Sequence, residues 1–245
     1  MLASLKNHPF SVAAFFKRSL VLTFAIPKED LEPLIPESLL LDVFDNKWAF
    51  LAVAMVQTKD LRPKGFPKIM GNDFFLIGYR VFVKYTTSKG KRLRGLYILK
   101  SETDSKKMEI GGNIFTHYNY TTTDIHQLES KKEKVIYSKK SDFRVMFTEE
   151  EDNTQLPQDS PFLNWKQARR YAGPLPFTFT YDKHKKEMLI IEGVRRNWKP
   201  KPIKILDYNF SFIRDLELKD AKLANAFVIE DIPYYWKKGR IELWK

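Results

Sequence analysis

The sequence contains no cysteine and few histidines. Without cysteine, disulfide frameworks, thiolate zinc sites and thiol nucleophiles are excluded. The four histidines, His8, His117, His126 and His184, are scattered, and neither an H-x-x-x-H spacing nor an acidic triad accompanies them. We therefore predict no metal site and no cofactor.

Glycine motifs that hold a phosphate or present a nucleophile are also missing. The ten glycines never form G-x-G-x-x-G, and no serine stands in a G-x-S-x-G elbow. This argues against a dinucleotide-binding enzyme and against a serine hydrolase of that type.

No long apolar run occurs at the start of the chain. Lys6, His8, Lys17 and Arg18 interrupt the first 22 residues, which therefore match neither a signal peptide nor a membrane span. Together with the absence of cysteine, this predicts a cytoplasmic protein without a membrane span.

Acidic residues are outnumbered by basic ones. The 42 Lys and Arg against 30 Asp and Glu give a net charge of +12, which favours polyanions such as RNA or an acidic surface. Much of the excess lies in lysine pairs beside turn-like segments, and no recurring aromatic platform accompanies them. A nucleic-acid partner is therefore kept as an alternative without a motif to support it.

Aromatic residues, in contrast, are plentiful, and alternating runs dominate the pattern. The chain has 19 Phe, 11 Tyr and 5 Trp, enough for a substantial core, and we expect one domain over residues 1–245. Period-two, β-branched and aromatic segments predict strands. These are Ser19–Ile26, Leu39–Phe44, Trp48–Thr58, Phe74–Tyr85, Arg92–Lys100, Thr116–Thr123, Lys134–Ser138, Phe143–Thr148, Phe177–Tyr181, Glu187–Val194 and Ile203–Phe210.

Predicted helices are few and short. One begins after Pro27, one spans Ser160 to Tyr171 and is closed by Gly173, and one runs from about Asp104 to Phe115 unless Gly111-Gly112 ends it. The acidic stretch Glu149–Asp159 is predicted to be a surface loop. The fold class is therefore mainly β with a few short helices (α+β), as a closed or nearly closed antiparallel β-barrel that encloses a small ligand.

Four segments in a fixed order carry a family resemblance. The block Phe24–Pro67 combines a strand, a P-x-x-x-L-x-x-L-I-P turn, an L-x-L-D-x-F-D hairpin, an apolar strand and an R-P-x-G loop. Gly78–Tyr85, Ser101–Tyr120 and Pro161–Gly173 follow it. In these segments the chain resembles the uncharacterised branch of the acetoacetate decarboxylase-like superfamily, domain-of-unknown-function family 2071. The resemblance implies the decarboxylase-like barrel.

The resemblance fails at the reactive lysine. The decarboxylases carry G-R-E-x-x-G-x-P-K-K, whose first lysine forms an imine with the substrate ketone while the second lowers its pKa. Counted from Gly111, this pair falls at Asn119 and Tyr120, neither of which can form an imine. Lys106-Lys107 precedes the glycines and is predicted to be solvated. The chain is therefore not expected to be a Schiff-base acetoacetate decarboxylase, and whether it is an enzyme stays open.

The segment Thr116–Tyr120 offers polar groups for a pocket. On a strand, His117 and Asn119 would share one face, and Thr116, Tyr118 and Tyr120 the other. Either set can orient a carbonyl or a carboxylate, although tyrosines are also ordinary strand residues.

Arg80 is the second candidate, because it interrupts an otherwise apolar strand. A buried guanidinium stays charged and needs an anion, which can be a carboxylate ligand or a structural acid. Glu102 and Asp104 match the family's acidic turn and are candidates both for the site and for that structural acid.

The leading hypothesis is a small-molecule-binding barrel, acting on a carbonyl or carboxylate compound if it is an enzyme. One alternative is a polyanion-binding module, and another is a structural relic of the decarboxylase fold. A homo-oligomer is left open.

Overall fold

The computed structural model describes residues 5–130, 132–149, 154–171, 175–196 and 198–244. Strands make up most of its regular structure, which confirms the mainly β class. Their bounds are β1 Val12–Pro27, β2 Leu40–Leu41, β3 Trp48–Pro63, β4 Asn72–Thr86, β5 Arg92–Thr103, β6 Tyr120–Thr122, β7 His126–Glu129, β8 Lys134–Ser138, β9 Phe143–Thr148, β10 Phe177–Asp182, β11 Glu187–Arg195, β12 Lys201–Pro202, β13 Lys204–Phe210, β14 Lys222–Trp236 and β15 Arg240–Leu243.

Helices are short, as predicted. They are α1 Lys28–Leu31, α2 Lys106–Phe115, α3 Trp165–Ala168 and α4 Ser211–Asp215, with 3-10 turns at Glu32–Leu34, Lys68–Met70 and Arg169–Tyr171. Ser105 is the N-cap residue of α2, and its hydroxyl accepts a hydrogen bond from the Met108 backbone N at 3.2 Å. No helix in the described part of the chain is long and apolar enough to cross a membrane.

Eleven strands form one large sheet. Its hydrogen-bonded path is β12-β14-β1-β3-β4-β5-β10-β11-β15, with β2 beside β4 and β6 beside β5. Because β11 also pairs with β14, the path from β14 through β1, β3, β4, β5, β10 and β11 returns to its start. The β5–β6 and β5–β10 pairs are parallel, which the antiparallel expectation missed.

A small second sheet covers one face of the large one. Its order is β13-β9-β8-β7. Leu22 and Phe24 of β1 share a hydrophobic cluster with Val145 and Phe147 of β9. Alternate residues of the same strands, such as Val21 and Ala25, belong to a separate cluster. The long strands therefore have two buried faces, which accounts for their almost continuous apolar runs.

The predicted L-x-L-D-x-F-D hairpin is present only as its turn, where Phe44 and Trp48 exchange two backbone hydrogen bonds. Only a single bridge joins Phe44 to Trp48, while Leu40 and Leu41 pair with β4. Asp42, which follows β2, is a buried carboxylate that forms ion pairs of 2.6 and 2.5 Å with Lys84 of β4 and Arg94 of β5.

Two other predicted elements have different bounds. The strand Thr116–Thr123 is reduced to β6, because Asn119 takes a positive φ of 50°. The helix near Asp104–Phe115 continues through its two glycines, since packing of Met108 against Phe74 and Tyr120 outweighs their low helix propensity.

The helix predicted from Ser160 begins at Trp165 and becomes a 3-10 turn, with Asn164 rather than Ser160 capping it. Gly173, predicted to close it, lies outside the described residues, as does part of the predicted Glu149–Asp159 loop. The 15-residue strand β14 was not predicted, although it is central to the large sheet.

Candidate functional site

A cavity of about 80 Å³ lies on the face of the large sheet that the second sheet does not cover. Small side chains make room for it at Ser19 of β1 and at Ala52 and Ala54 of β3. These residues lie on the same faces of their strands as Val21 and Val56, which also line the cavity. The cavity therefore arises where three large side chains are missing from a well-packed sheet.

Arg80 of β4 projects into this cavity. Its side chain lies along the strand over Gly78, where a Cβ atom would stand 2.8 Å from the arginine Nε. A side chain at position 78 would therefore displace the guanidinium from this position. The strand sequence G-Y-R both introduces the cation and makes space for it.

No carboxylate neutralises Arg80 among the described residues. None lies within ion-pair distance of it, and its Nε is buried without a hydrogen-bonding partner. Burial lowers the pKa of Arg80 from its ordinary value, because the interior solvates the cation poorly. Even so, arginine has so high a pKa that it keeps its charge. The cavity therefore holds a positive charge that no carboxylate of the described residues neutralises.

Three tyrosines share the cavity with Arg80. They are Tyr118 and Tyr120, which flank Asn119, and Tyr234 of β14. Burial raises the pKa of all three phenols, that of Tyr120 to about 12. At neutral pH they are uncharged, so each hydroxyl can donate a hydrogen bond to an anion.

Neighbouring strands position two of these phenols. Thr178 of β10 lines the cavity beside Tyr118 and lowers the pKa of its phenol, against the larger effect of burial. The Tyr234 hydroxyl occupies the space that a Cβ atom at Gly193 of β11 would need. Tyrosines from two distant parts of the sequence therefore meet beside one cation.

Glu102 and Asp104 lie elsewhere. Glu102 is buried on the opposite side of β5, where its Oε1 accepts a hydrogen bond from Ser141 Oγ at 2.6 Å and lies 3.1 Å from Lys100 Nζ. Asp104 is exposed and accepts a hydrogen bond from the Phe75 backbone N at 2.8 Å. Neither is the structural partner considered for Arg80, and neither lines the cavity.

His117 and Asn119 are also outside the cavity. The His117 ring lies 3.2 Å from Asn7 Oδ1 in a separate surface cleft, and burial lowers its pKa. Asn119 is exposed. Tyr118 and Tyr120 both line the inner cavity, but the predicted strand alternation is wrong here, because the segment is not a strand until Tyr120.

No lysine is among the described residues that line the inner cavity. Lys106 and Lys107 lie on α2, and both are exposed. Lys107 reaches only a second chamber, which lies beside the inner cavity. Position 120, where the motif would place an amine, contributes a phenol.

This second, outer chamber measures about 300 Å³. It shares five lining residues with the inner cavity: Phe16, Leu76, Tyr118, Tyr120 and Trp236. Most of its remaining wall is apolar and comes from β1, the end of β3, β4 and α2. The two spaces are therefore neighbours that Tyr118 and Tyr120 separate.

Sequence reasoning missed several lining residues, above all Tyr234, Thr178, Trp198 and Trp236. Tyr234 and Trp236 were missed together with β14. One signal was present, because a glycine inside a strand, such as Gly193, often marks close approach of another group. No cluster of three or more His, Asp or Glu that could hold a metal occurs in the part of the chain that the structure describes.

Comparison with known proteins identifies relatives of this chain. The model of the family DUF2071, described as an uncharacterised conserved protein, matches residues 14–237. No curated protein matches the sequence.

Solved structures share the fold at low sequence identity. Acetoacetate decarboxylase from Legionella pneumophila superposes with a TM-score of 0.64 at 10% identity, covering 95% of this chain and 87% of the other. A further acetoacetate decarboxylase structure has a TM-score of 0.58 at 11% identity, covering 97% and 91%. The enduracididine biosynthesis enzyme MppR, with HEPES bound, has a TM-score of 0.54 at 9% identity, covering 95% and 87%. The fold is thus decarboxylase-like.

Proposed function

The chain belongs to the DUF2071 family, and we propose that it binds a small carboxylate-bearing molecule non-covalently in the inner cavity. Arg80 binds the carboxylate, and Tyr118, Tyr120 and Tyr234 orient it. In this proposal the strands β14, β1, β3, β4, β5, β10 and β11 form a closed barrel around the site.

The unneutralised charge of Arg80 carries the proposal. The Nε of Arg80 is buried without a partner, which costs free energy, and a structural role would provide a carboxylate beside it. A ligand carboxylate would supply the missing partner, and a guanidinium can bind it with two parallel hydrogen bonds. Arg80 is then retained because it binds the ligand carboxylate, although its unpaired charge lowers the stability of the ligand-free protein.

The rest of the lining supports an anion as the ligand. Three neutral phenols can donate hydrogen bonds, and no acidic residue is among the described residues that line the cavity. The similar fold of acetoacetate decarboxylase, which by its name acts on a small keto acid, agrees with this ligand class.

The binding is proposed to be non-covalent because no lysine is among the described residues lining the cavity. Borohydride reduction in the presence of acetoacetate tests this point by mass spectrometry. We expect the unmodified mass, and a reduced adduct on any lysine would overturn the non-covalent account.

Thermal unfolding with small acids tests the proposal itself. Carboxylates such as pyruvate, acetoacetate and butyrate should raise the melting temperature, whereas their amides should not. In Arg80→Met the acids should lose their effect, because a charge-assisted bond worth roughly 1.5–3 kcal/mol, or about 10- to 150-fold in affinity, is gone.

Arg144→Met is the matched control. Arg144 forms an ion pair with Asp207 in which both side chains are about half exposed, so its removal should leave acid binding unchanged. Equal acid-dependent stabilisation of Arg80→Met and the unsubstituted protein would refute the proposed site.

A further inference from the structure

The outer chamber extends the carboxylate site in a specific direction. It lies on the other side of Tyr118 and Tyr120 from the inner cavity, and these two side chains line both spaces. The outer chamber is the larger space, at about 300 Å³ against about 80 Å³ for the inner cavity. A two- or three-carbon acid would fill only the inner part of this combined space.

The wall of the outer chamber is mainly apolar. Phe10 and Val12 face it from the N-terminal side, Phe74 from β4, and Met108 and Phe115 from α2. Such a wall gains free energy when it covers apolar ligand surface, in proportion to the area covered. A polar or charged tail would lose hydration there without compensation.

The outer border of this chamber combines apolar and basic residues. Met70 and Gly111 line the chamber, and their neighbours Ile69 and Ile110 are exposed at 94% and 63%. Lys107 lies on the same border. Large exposed apolar side chains beside a cavity often mark a binding surface. An amphipathic anion is attracted by such a border, because the lysine and the isoleucines complement its two parts.

We propose that the ligand is an amphipathic carboxylate, with its carboxylate group at Arg80 and an apolar chain that passes Tyr118 and Tyr120 into the outer chamber. This inference rests on the proposed function, because Arg80 supplies the site for the carboxylate.

Calorimetric titration with straight-chain acids from acetate to dodecanoate, below their micellar concentrations, tests the proposal. We expect affinity to rise about two- to fourfold per methylene as the chain enters the chamber, and then to level off. Decanol, which lacks the charge, should bind at least tenfold more weakly than decanoate. In Arg80→Met this difference should disappear.

Val12 gives a matched pair of variants in the outer chamber. Val12→Phe fills the space and should weaken decanoate binding at least tenfold while leaving butyrate binding unchanged. Val12→Ala enlarges the space and should keep or improve decanoate binding. Retained butyrate binding shows that the variant is folded and that its inner cavity is intact.

The outcomes separate the two proposals. If butyrate binds as tightly as decanoate, the amphipathic ligand is refuted while the carboxylate site stands. If no acid of any length binds, both are refuted. If decanol binds as tightly as decanoate, the chamber is a nonspecific apolar pocket and the assignment of the acid group to Arg80 is refuted.

Discussion

Arg80 and His8 are both basic side chains with a buried nitrogen atom, but burial affects their charges differently. Arginine keeps its charge when buried, so Arg80 retains a need for an anion. His8 can lose its proton, and burial lowers its pKa from 6.5 to about 4. His8 lines the outer chamber with its Nε2 lacking a hydrogen-bonding partner among the described residues. The outer chamber is therefore uncharged at His8 near neutral pH, as an apolar chain requires.

The low pKa of His8 predicts a loss of stability in mild acid. The unfolded chain takes up the proton below pH 6.5, whereas the folded protein takes it up only near pH 4. Stability is therefore fully present above pH 6.5 and falls between pH 6.5 and about 4, by about 3 kcal/mol from this residue.

Urea unfolding across this pH range should show the effect as a difference between the unsubstituted protein and His8→Asn. Asparagine tolerates the positive φ of 53° at this position, so the backbone is preserved. Parallel pH profiles for the two proteins would show that His8 is not buried in its neutral form.

The short strand β2 depends on ions rather than on a hairpin turn. Asp42, which is 1% exposed, is held by Lys84 of β4 and Arg94 of β5. Arg94 also lies over the Tyr171 ring, 5.5 Å from its centroid, and so connects β2 to the end of the α3 segment. One carboxylate thus joins three elements.

Asp42→Asn should therefore destabilise the protein by about 2–3 kcal/mol, because it leaves two partly buried cations without their counter-charge. Denaturant unfolding measures this change. Asp231→Asn is the control, since Asp231 and Lys17 form an exposed ion pair that should contribute less than about 1 kcal/mol. Carboxylate binding should survive in both variants. Equal stability losses in the two variants would mean that the ion pairs of Asp42 stabilise the protein no more than an exposed ion pair does.

The sequence predicted strands best where their apolar runs were long. β3, β4, β5 and β11 were found because two buried faces give dense apolar patterns. β14 was missed, although its first half is equally apolar, since Glu230, Asp231 and Pro233 interrupt its second half. The α2 helix and the position of β2 depended on tertiary contacts of Met108 and Asp42, which a local pattern does not contain.

The candidate site could be predicted only in part, again because a local pattern does not contain tertiary contacts. Arg80, Tyr118 and Tyr120 stood out as polar groups in apolar surroundings, and they do meet in one cavity. Four other residues were chosen by their motif position, and the structure places them outside the inner cavity: Glu102, Asp104, His117 and Asn119. Tyr234 comes from a strand more than a hundred residues away, and only the pairing of β14 with β1 and β11 brings it to Arg80.

At the scale of the whole molecule, Arg80 projects into a cavity on one face of the large sheet. The outer chamber lies beside this cavity and has Lys107 in its lining, and the second sheet covers the other face of the large sheet. The net charge of +12 adds a diffuse field that attracts anions generally. Binding of a polyanion, a single domain over residues 1–245 and a homo-oligomer stay predictions.

The unfolding free energy of Arg80→Met in the absence of any acid tests the central claim most directly. If Arg80 is retained for a ligand carboxylate, its replacement by an apolar side chain of similar length removes an unneutralised charge. The ligand-free variant should then be more stable than the unsubstituted protein, by about 1–3 kcal/mol. A variant less stable by 1 kcal/mol or more would show that Arg80 has a structural role, and would contradict the account.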